Sequence, residues 1–396
     1  FGFSKNAKES FEKWGHDAVL SDMVRVIRTF RPDIIITRFP PTREAGHGHH
    51  EASAILAHEA FKLAGDSTAF PEQLKQGLTV WQPRRLYFNG STWWKKDLAE
   101  MAKKDPDWYS VDVGGFDPLL GLSYTELAGR SRSMHKSQGF GAAQTRGEAT
   151  EYLHLDLGDK PKNRDIFDGI DMTWGRIKGG AEVGKDVNAL IANYDMREPM
   201  KSVAALCSLA AAVDALPPSL WKDRTRKIVD QLLLDVTGTV VQALADGEEA
   251  VVGDPVKVTL NILTRSASSV QTEGADGKMM RLGQNVPFSM PVVLTAPMTP
   301  DQPYWLALPH GNLFDIADPT LIGKAITPQE LQVPYTLRFG ASTLVKGTAP
   351  VLHERVDRVK GELITPVYVV PQITLQPSTN IIATTTKVSQ LNVDVL

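Results

Sequence analysis

The densest concentration of reactive side chains is Arg43-Glu44-Ala45-Gly46-His47-Gly48-His49-His50-Glu51, which places three of the chain's nine histidines within four residues. Neutral imidazole is the commonest nitrogen ligand of zinc, and a catalytic zinc typically takes three protein ligands and keeps one position open for water. Such a cluster can hold a metal, move a proton, or do both. A hydrophilic turn that is merely rich in histidine is the competing reading, and spacing does not separate the two. His49 and His50 are adjacent, so their side chains diverge, which argues against one ion shared by His47, His49 and His50. A second polar run is Arg130-Ser131-Arg132-Ser133-Met134-His135-Lys136-Ser137-Gln138. His16, His58, His154, His310 and His353 stand alone, and each reads as a surface or satisfied core residue.

The surrounding pattern says what must hold these groups. Ser21 or Asp22 caps a helix whose apolar positions Met23, Val26, Ile27 and Phe30 recur at helical spacing, and Pro32 stops it. Residues 33–39 read as a buried strand, and Ala52, Ile55, Leu56, Ala60 and Leu63 mark the inner face of a second helix. Helix, strand, loop, helix is α/β order, and the histidines fall beyond the carboxyl end of the strand, where open α/β sheets form their ligand crevice. Residues 85–88 are a candidate next strand. Residues 186–236 are helical in pattern, broken at Pro217-Pro218, and Cys207 sits in an apolar run that predicts core packing. Past residue 247, β-branched runs at 256–263, 292–295, 335–339, 367–370 and 380–386, separated by turn residues, predict an antiparallel sandwich.

Two motifs carry a resemblance. Arg38-Phe39-Pro40, followed by Gly46-His47-Gly48-His49-His50-Glu51-Ala52-Ser53, resembles the second metal motif of the PIG-L/LmbE-like zinc-dependent de-N-acetylases, a His-x-x-His between a strand and a helix. Residues 130–138 resemble the family's later helical His-x-Ser-Gln segment. The resemblance spans roughly residues 1–180 and extends loosely into the β-rich end, as in the long multi-domain bacterial members. It implies a partial Rossmann-like three-layer deacetylase domain (1–180), a helical connector (181–247) and a β-sandwich-like domain (248–396). It further implies Zn2+ as cofactor with His50 as a ligand, His47 and His135 as catalytic residues, and Arg38, Arg43, Lys136 and Gln138 as substrate contacts. The substrate implied is an N-acetylglucosamine-type sugar or glycoconjugate, hydrolysed to an amine and acetate. His49 stands where many members carry Asp.

The family's His-Pro-Asp-Asp motif, which supplies two more zinc ligands and the general base, occurs nowhere in the 396 residues. The expectation is that a preceding segment or another chain supplies it and completes the sheet. Analogy with long members implies export, with any leader upstream of Phe1. The rival reading is a non-catalytic carbohydrate-binding or cell-surface protein on a deacetylase-like scaffold, in which Trp and Tyr of the β-rich part stack on sugars.

Composition narrows the partners. A formal charge of −3 with no basic cluster disfavours nucleic acid, and the single cysteine rules out an internal disulfide or a multi-cysteine zinc site. No stretch approaches the roughly 18 consecutive apolar residues of a membrane span.

Overall fold

In the computed structural model, residues 2–92, 95–267, 269–311, 313–377 and 393–395 are described. The chain is a mixed α/β protein that divides into two units, residues 1–170 and 171–396.

In the first unit the order is α1 (Ala7–Trp14), α2 (His16–Phe30), β1 (Ile34–Thr37), α3 (Gly48–Leu63), α4 (Pro71–Lys75), β2 (Arg85–Gly90), α5 (Leu98–Lys104) and β3 (Trp108–Asp112). A short hairpin, β4 (Phe116–Asp117) and β5 (Leu122–Ser123), leads into α6 (Tyr124–Arg132) and then β6 (Thr150–Gly158). The sheet runs β1-β2-β6-β3, with β1 parallel to β2 and β6 antiparallel to both β2 and β3. Successive residues of β1 point to opposite faces, as a strand requires. Ile35 packs with Leu20, Val24, Ile27, Leu56 and Ala60 of α2 and α3, whereas Ile34 packs with Tyr87, Tyr109 and Leu153.

Helix α2 starts five residues earlier than its sequence signal and is rotated from the expected face. It buries Leu20, Val24, Ile27 and Arg28 while Val26 and Phe30 lie more than half exposed. Arg28 explains the rotation. Its guanidinium donates to the backbone carbonyls of Leu63, Ala64, Asp66, Ala69 and Phe70 and to Gln73 Oε1, at 2.7–3.3 Å. These include the carbonyls of Leu63 and Ala64 at the carboxyl end of α3, which also accept the Asp66 and Trp81 N–H groups, so a buried cation and a helix end satisfy each other.

The second unit opens with α7 (Gly180–Asn193), α8 (Val203–Asp214) and α9 (Leu220–Thr237). Its strands are β7 (Val240–Ala245), β8 (Glu249–Val251), β9 (Pro255–Leu263), β10 (Val270–Glu273), β11 (Met279–Arg281), β12 (Phe288–Thr295), β13 (Gln332–Phe339), β14 (Thr343–Asp357), β15 (Gly361–Pro366) and β16 (Tyr368–Val370). The main sheet runs β11-β10-β13-β14-β7-β9-β12, with β15 also on β14. The long strand β14 pairs β13 along its first half, then β7 and β15 along its second, so the sheet curls about it. One core joins Val203, Leu206, Leu209 and Val213 of α8 and Val229 and Leu233 of α9 to Val258, Leu260, Leu337 and Val351 of the sheet. The helices expected as a separate connector therefore share the core of the strands that follow, because their apolar stripes are what the sheet's inner face buries. Cys207 packs half-buried with Sγ 3.7 Å from Phe339 O. The strand expected at 380–386 lies outside the described residues.

Candidate active site

The site forms beyond the carboxyl ends of the parallel pair β1 and β2. After Thr37 the chain passes through a one-turn 3-10 helix, Arg43–Ala45, and reverses at Gly46, whose φ of 73° favours glycine. Helix α3 then starts at Gly48. A Cβ there would lie 2.3 Å from Ser4 Oγ and 2.4 Å from Asn6 O, so only glycine lets the segment before α1 press onto the start of α3.

His47 is the residue that caps α3. Its Nδ1 accepts the backbone N–H of His49 at 3.1 Å, which puts the ring proton on Nε2. His50, one turn on, stacks on Phe39 with ring centroids 3.7 Å apart, and on His47 with centroids 4.8 Å apart. Burial lowers the pKa of His50, a hydrogen bond with the Ala45 backbone opposes this, and the neighbouring His47 and His49 lower it further. The ring is therefore neutral at physiological pH, the form that offers a lone pair to a metal.

His49 serves packing. Its Nδ1 lies 2.9 Å from Ser10 Oγ and 3.1 Å from Ser4 Oγ, and its ring stacks on Trp14 with centroids 4.4 Å apart. It ties α3 to α1 and does not line the cavity.

His47 and His50 open onto a cavity of about 640 Å3 whose other walls include Arg38, Phe39, Ser91, Arg132 and Phe140. Arg38 bonds Asn89 and lies 3.6 Å from Glu151, whose carboxylate also accepts from Asn89 at 2.8 Å. Arg132 lies over the Phe140 ring, 5.4 Å from its centroid.

Of the residues expected at the site, the structure brings Arg38, His47 and His50 together. His135, Lys136 and Gln138 are solvent-exposed and do not line this cavity. The helix expected to carry them ends at Arg132, and His135 instead precedes a 3-10 turn that Gly139 closes with φ 67°. That reversal delivers Phe140 to the cavity, so the segment contributes through Arg132 and Phe140 instead. Arg43 is exposed and donates to Lys5 O at 3.4 Å, away from the cavity lining. Phe39 and Arg132 stand inside the two motifs without having been assigned a role there, and Phe140 follows the second motif directly. Ser91 escaped the sequence reading, and no sequence signal marks it.

Two histidines that read as isolated are joined in space. His58 Nε2 lies 2.9 Å from Asp156 Oδ2, and His154 Nδ1 lies 2.6 Å from Asp156 Oδ1. One carboxylate thus bridges α3 and β6.

Zinc is the metal these residues have to be tested against. His50 suits it as one donor, being neutral, fixed by stacking and open to a cavity. A complete set is another matter: among the described residues no group of three or more His, Cys, Asp or Glu is disposed to hold a metal ion. Nor, among them, is any helix long and apolar enough to cross a membrane.

No protein-family model and no curated protein matches the chain. Among solved structures, the Pseudomonas fluorescens alkylpurine DNA glycosylase AlkC, bound to DNA containing an abasic site analog, aligns over 41% of this chain at 5% identity with a TM-score of 0.14. The aligned part spans 50% of the glycosylase, and a likeness at that level carries no argument about fold or function.

Proposed function

We propose that the cavity between β1, α3 and the 132–140 segment hydrolyses the N-acetyl group of an N-acetylglucosamine-type sugar, as a zinc-dependent de-N-acetylase. The observation that carries this reading is that His47 and His50, three positions apart in sequence, face one cavity together with Arg38. In it, His50 would be one ligand of a bound zinc ion. Zinc bound there would supply Lewis-acid polarisation of the acetamide carbonyl and a water whose pKa is lowered toward about 7. The chain's own residues do the remaining positioning. His47 presents Nε2–H toward the cavity as a donor for the developing oxyanion. Arg38 and Arg132 offer guanidinium donors to sugar oxygens, and Phe39 and Phe140 supply apolar walls that keep bulk water back. On this reading the β1/β2 pair with α2 and α3 is part of a Rossmann-like layer, and the curled sheet is one half of a sandwich-type domain.

The test is release of acetate from N-acetylglucosaminides by the zinc-supplemented chain. Turnover that disappears in His50→Ala while circular dichroism stays unchanged supports the reading, and absence of turnover at every metal concentration removes it.

A second reading follows from the donor set being incomplete among the described residues: the chain binds glycans without hydrolysing them. Tight glycan binding with neither zinc uptake nor turnover would select it.

A further inference from the structure

A second cavity lies wholly within residues 171–396 and belongs to no site described above. It encloses about 720 Å3, within the roughly 300–1,000 Å3 range of small-ligand sites, between the loops at 301–305 and 326–329 and the strands that carry Pro350 and Tyr368.

Two aromatic rings line it, Trp305 and Tyr368. Trp305 is propped edge-on by Tyr304, with centroids 5.0 Å apart at 84°. Tyr304 is itself fixed, since its hydroxyl donates to Lys324 O at 2.9 Å and its backbone N–H to Thr327 Oγ1 at 2.9 Å. Among the described residues the Trp305 indole N–H meets no acceptor. Four prolines in the lining further stiffen the walls.

The polar groups are held with one side open. Gln329 Nε2 donates to Val351 O at 2.9 Å and Val367 O at 3.3 Å, which fixes the amide and leaves Oε1 without a partner among the described residues. Asp301 Oδ2 accepts the Val369 N–H at 2.7 Å, leaving Oδ1. Gln332 donates to Gln329 O at 2.7 Å and accepts from the Thr348 hydroxyl.

These features select a ligand class. No Lys or Arg lines the cavity and one carboxylate does, so an anion is repelled. A purely apolar ligand would strip water from Asp301 and the glutamines without replacing its hydrogen bonds. A neutral pyranose has an apolar C–H face for an aromatic ring and a rim of hydroxyls for amide and carboxylate oxygens. We infer that this cavity binds a neutral saccharide, one ring against Trp305 and its hydroxyls on Asp301 and Gln329. The inference does not rest on the deacetylase reading, whose residues lie in the other unit.

The test is isothermal titration of the full chain with neutral tetrasaccharides (β-1,4-linked glucose, β-1,4-linked N-acetylglucosamine and α-1,4-linked glucose) and with decaproline, which also favours rings of Trp and Tyr. At least one tetrasaccharide binds, Trp305→Ala weakens it about tenfold or more, and Trp305→Phe retains most of the affinity. Circular dichroism confirms that each variant is folded. The inference is overturned if no tetrasaccharide binds at millimolar concentration, if Trp305→Ala binds like the parent, or if decaproline binds in preference.

Discussion

The imidazoles of His47 and His50 lie 4.8 Å apart, 27° from parallel, at the first turn of one helix and on the wall of one cavity. His47 is held by capping the helix and His50 by stacking on Phe39. Each ring is thus fixed by a separate interaction, and the two can be perturbed separately.

His47 has two roles that one pair of variants pulls apart. His47→Ala removes the cap and costs about 1 kcal/mol of stability, whereas His47→Asp restores an acceptor at the cap position without a donor. Both lose the donor proposed for the oxyanion, so the proposed deacetylation falls about 10²–10³-fold in each. Denaturant titration alongside acetate release checks this: stability is recovered in the aspartate variant and activity is not.

Asp156 makes the stability of the chain pH-dependent from two sides. The pKa of His58 and of His154 is raised above 6.5, first by the hydrogen bond to Asp156. Burial pushes the Asp156 carboxyl up, but its bonds to His154 and His58 outweigh this and leave it below 3.8. The histidine contribution is fully present below pH 6.5 and fades as pH rises through their folded values. The carboxylate contribution is present above pH 3.8 and fades as pH falls through its folded value. Stability from this cluster is therefore greatest between pH 3.8 and 6.5. Asp156→Asn lowers stability most within that window and least near pH 8, by an amount on the order of 1–2 kcal/mol at pH 5.5 for partly exposed groups, read as a drop in melting temperature. A flat difference across pH would contradict the assignment.

Arg28 is a cation whose partners are carbonyls. Arg28→Met leaves the carbonyls of Leu63, Ala64, Asp66, Ala69 and Phe70 facing an apolar side chain and destabilises the chain by about 3–5 kcal/mol. Equilibrium unfolding in urea measures it, and a loss below about 1 kcal/mol would show that water readily replaces the guanidinium.

Tyr87 carries a buried hydroxyl with no partner among the described residues, and burial pushes its pKa up to about 12. Tyr87→Phe removes that unsatisfied group, keeps the edge-on contact with Tyr109, and raises stability by up to about 1 kcal/mol. A drop in melting temperature would show that the hydroxyl finds a partner in solution.

Local periodicity made much of this legible. The run Ile34-Ile35-Ile36 before a Gly- and His-rich loop and an Ala/Leu helix announced a strand, a turn and α3, and with them the place of His47 and His50. The face of α2 was misjudged because Arg28 reads as a surface residue until the carbonyls of the α3 terminus are seen around it. His135 was assigned to a helix that in fact stops at Arg132, since the polar run from Ser133 to Gln138 carries no residue that marks the earlier stop. The sharing of Asp156 by His58 and His154 depends on contacts 98 residues apart in sequence, which no local pattern encodes. The union of α8 and α9 with the curled sheet was hidden in the same way, because an apolar helix stripe does not say which surface it will cover.

The central claim is that His50 is a metal ligand, and cobalt reports on it directly. Titrating the chain with Co2+ should give a visible absorption band from a low-symmetry site that also competes with Zn2+, and His50→Ala should abolish or strongly shift that band while His49→Ala, provided it stays folded, leaves it in place. A band that persists unchanged in His50→Ala, or no saturable Co2+ or Zn2+ binding by the chain at all, would contradict the account.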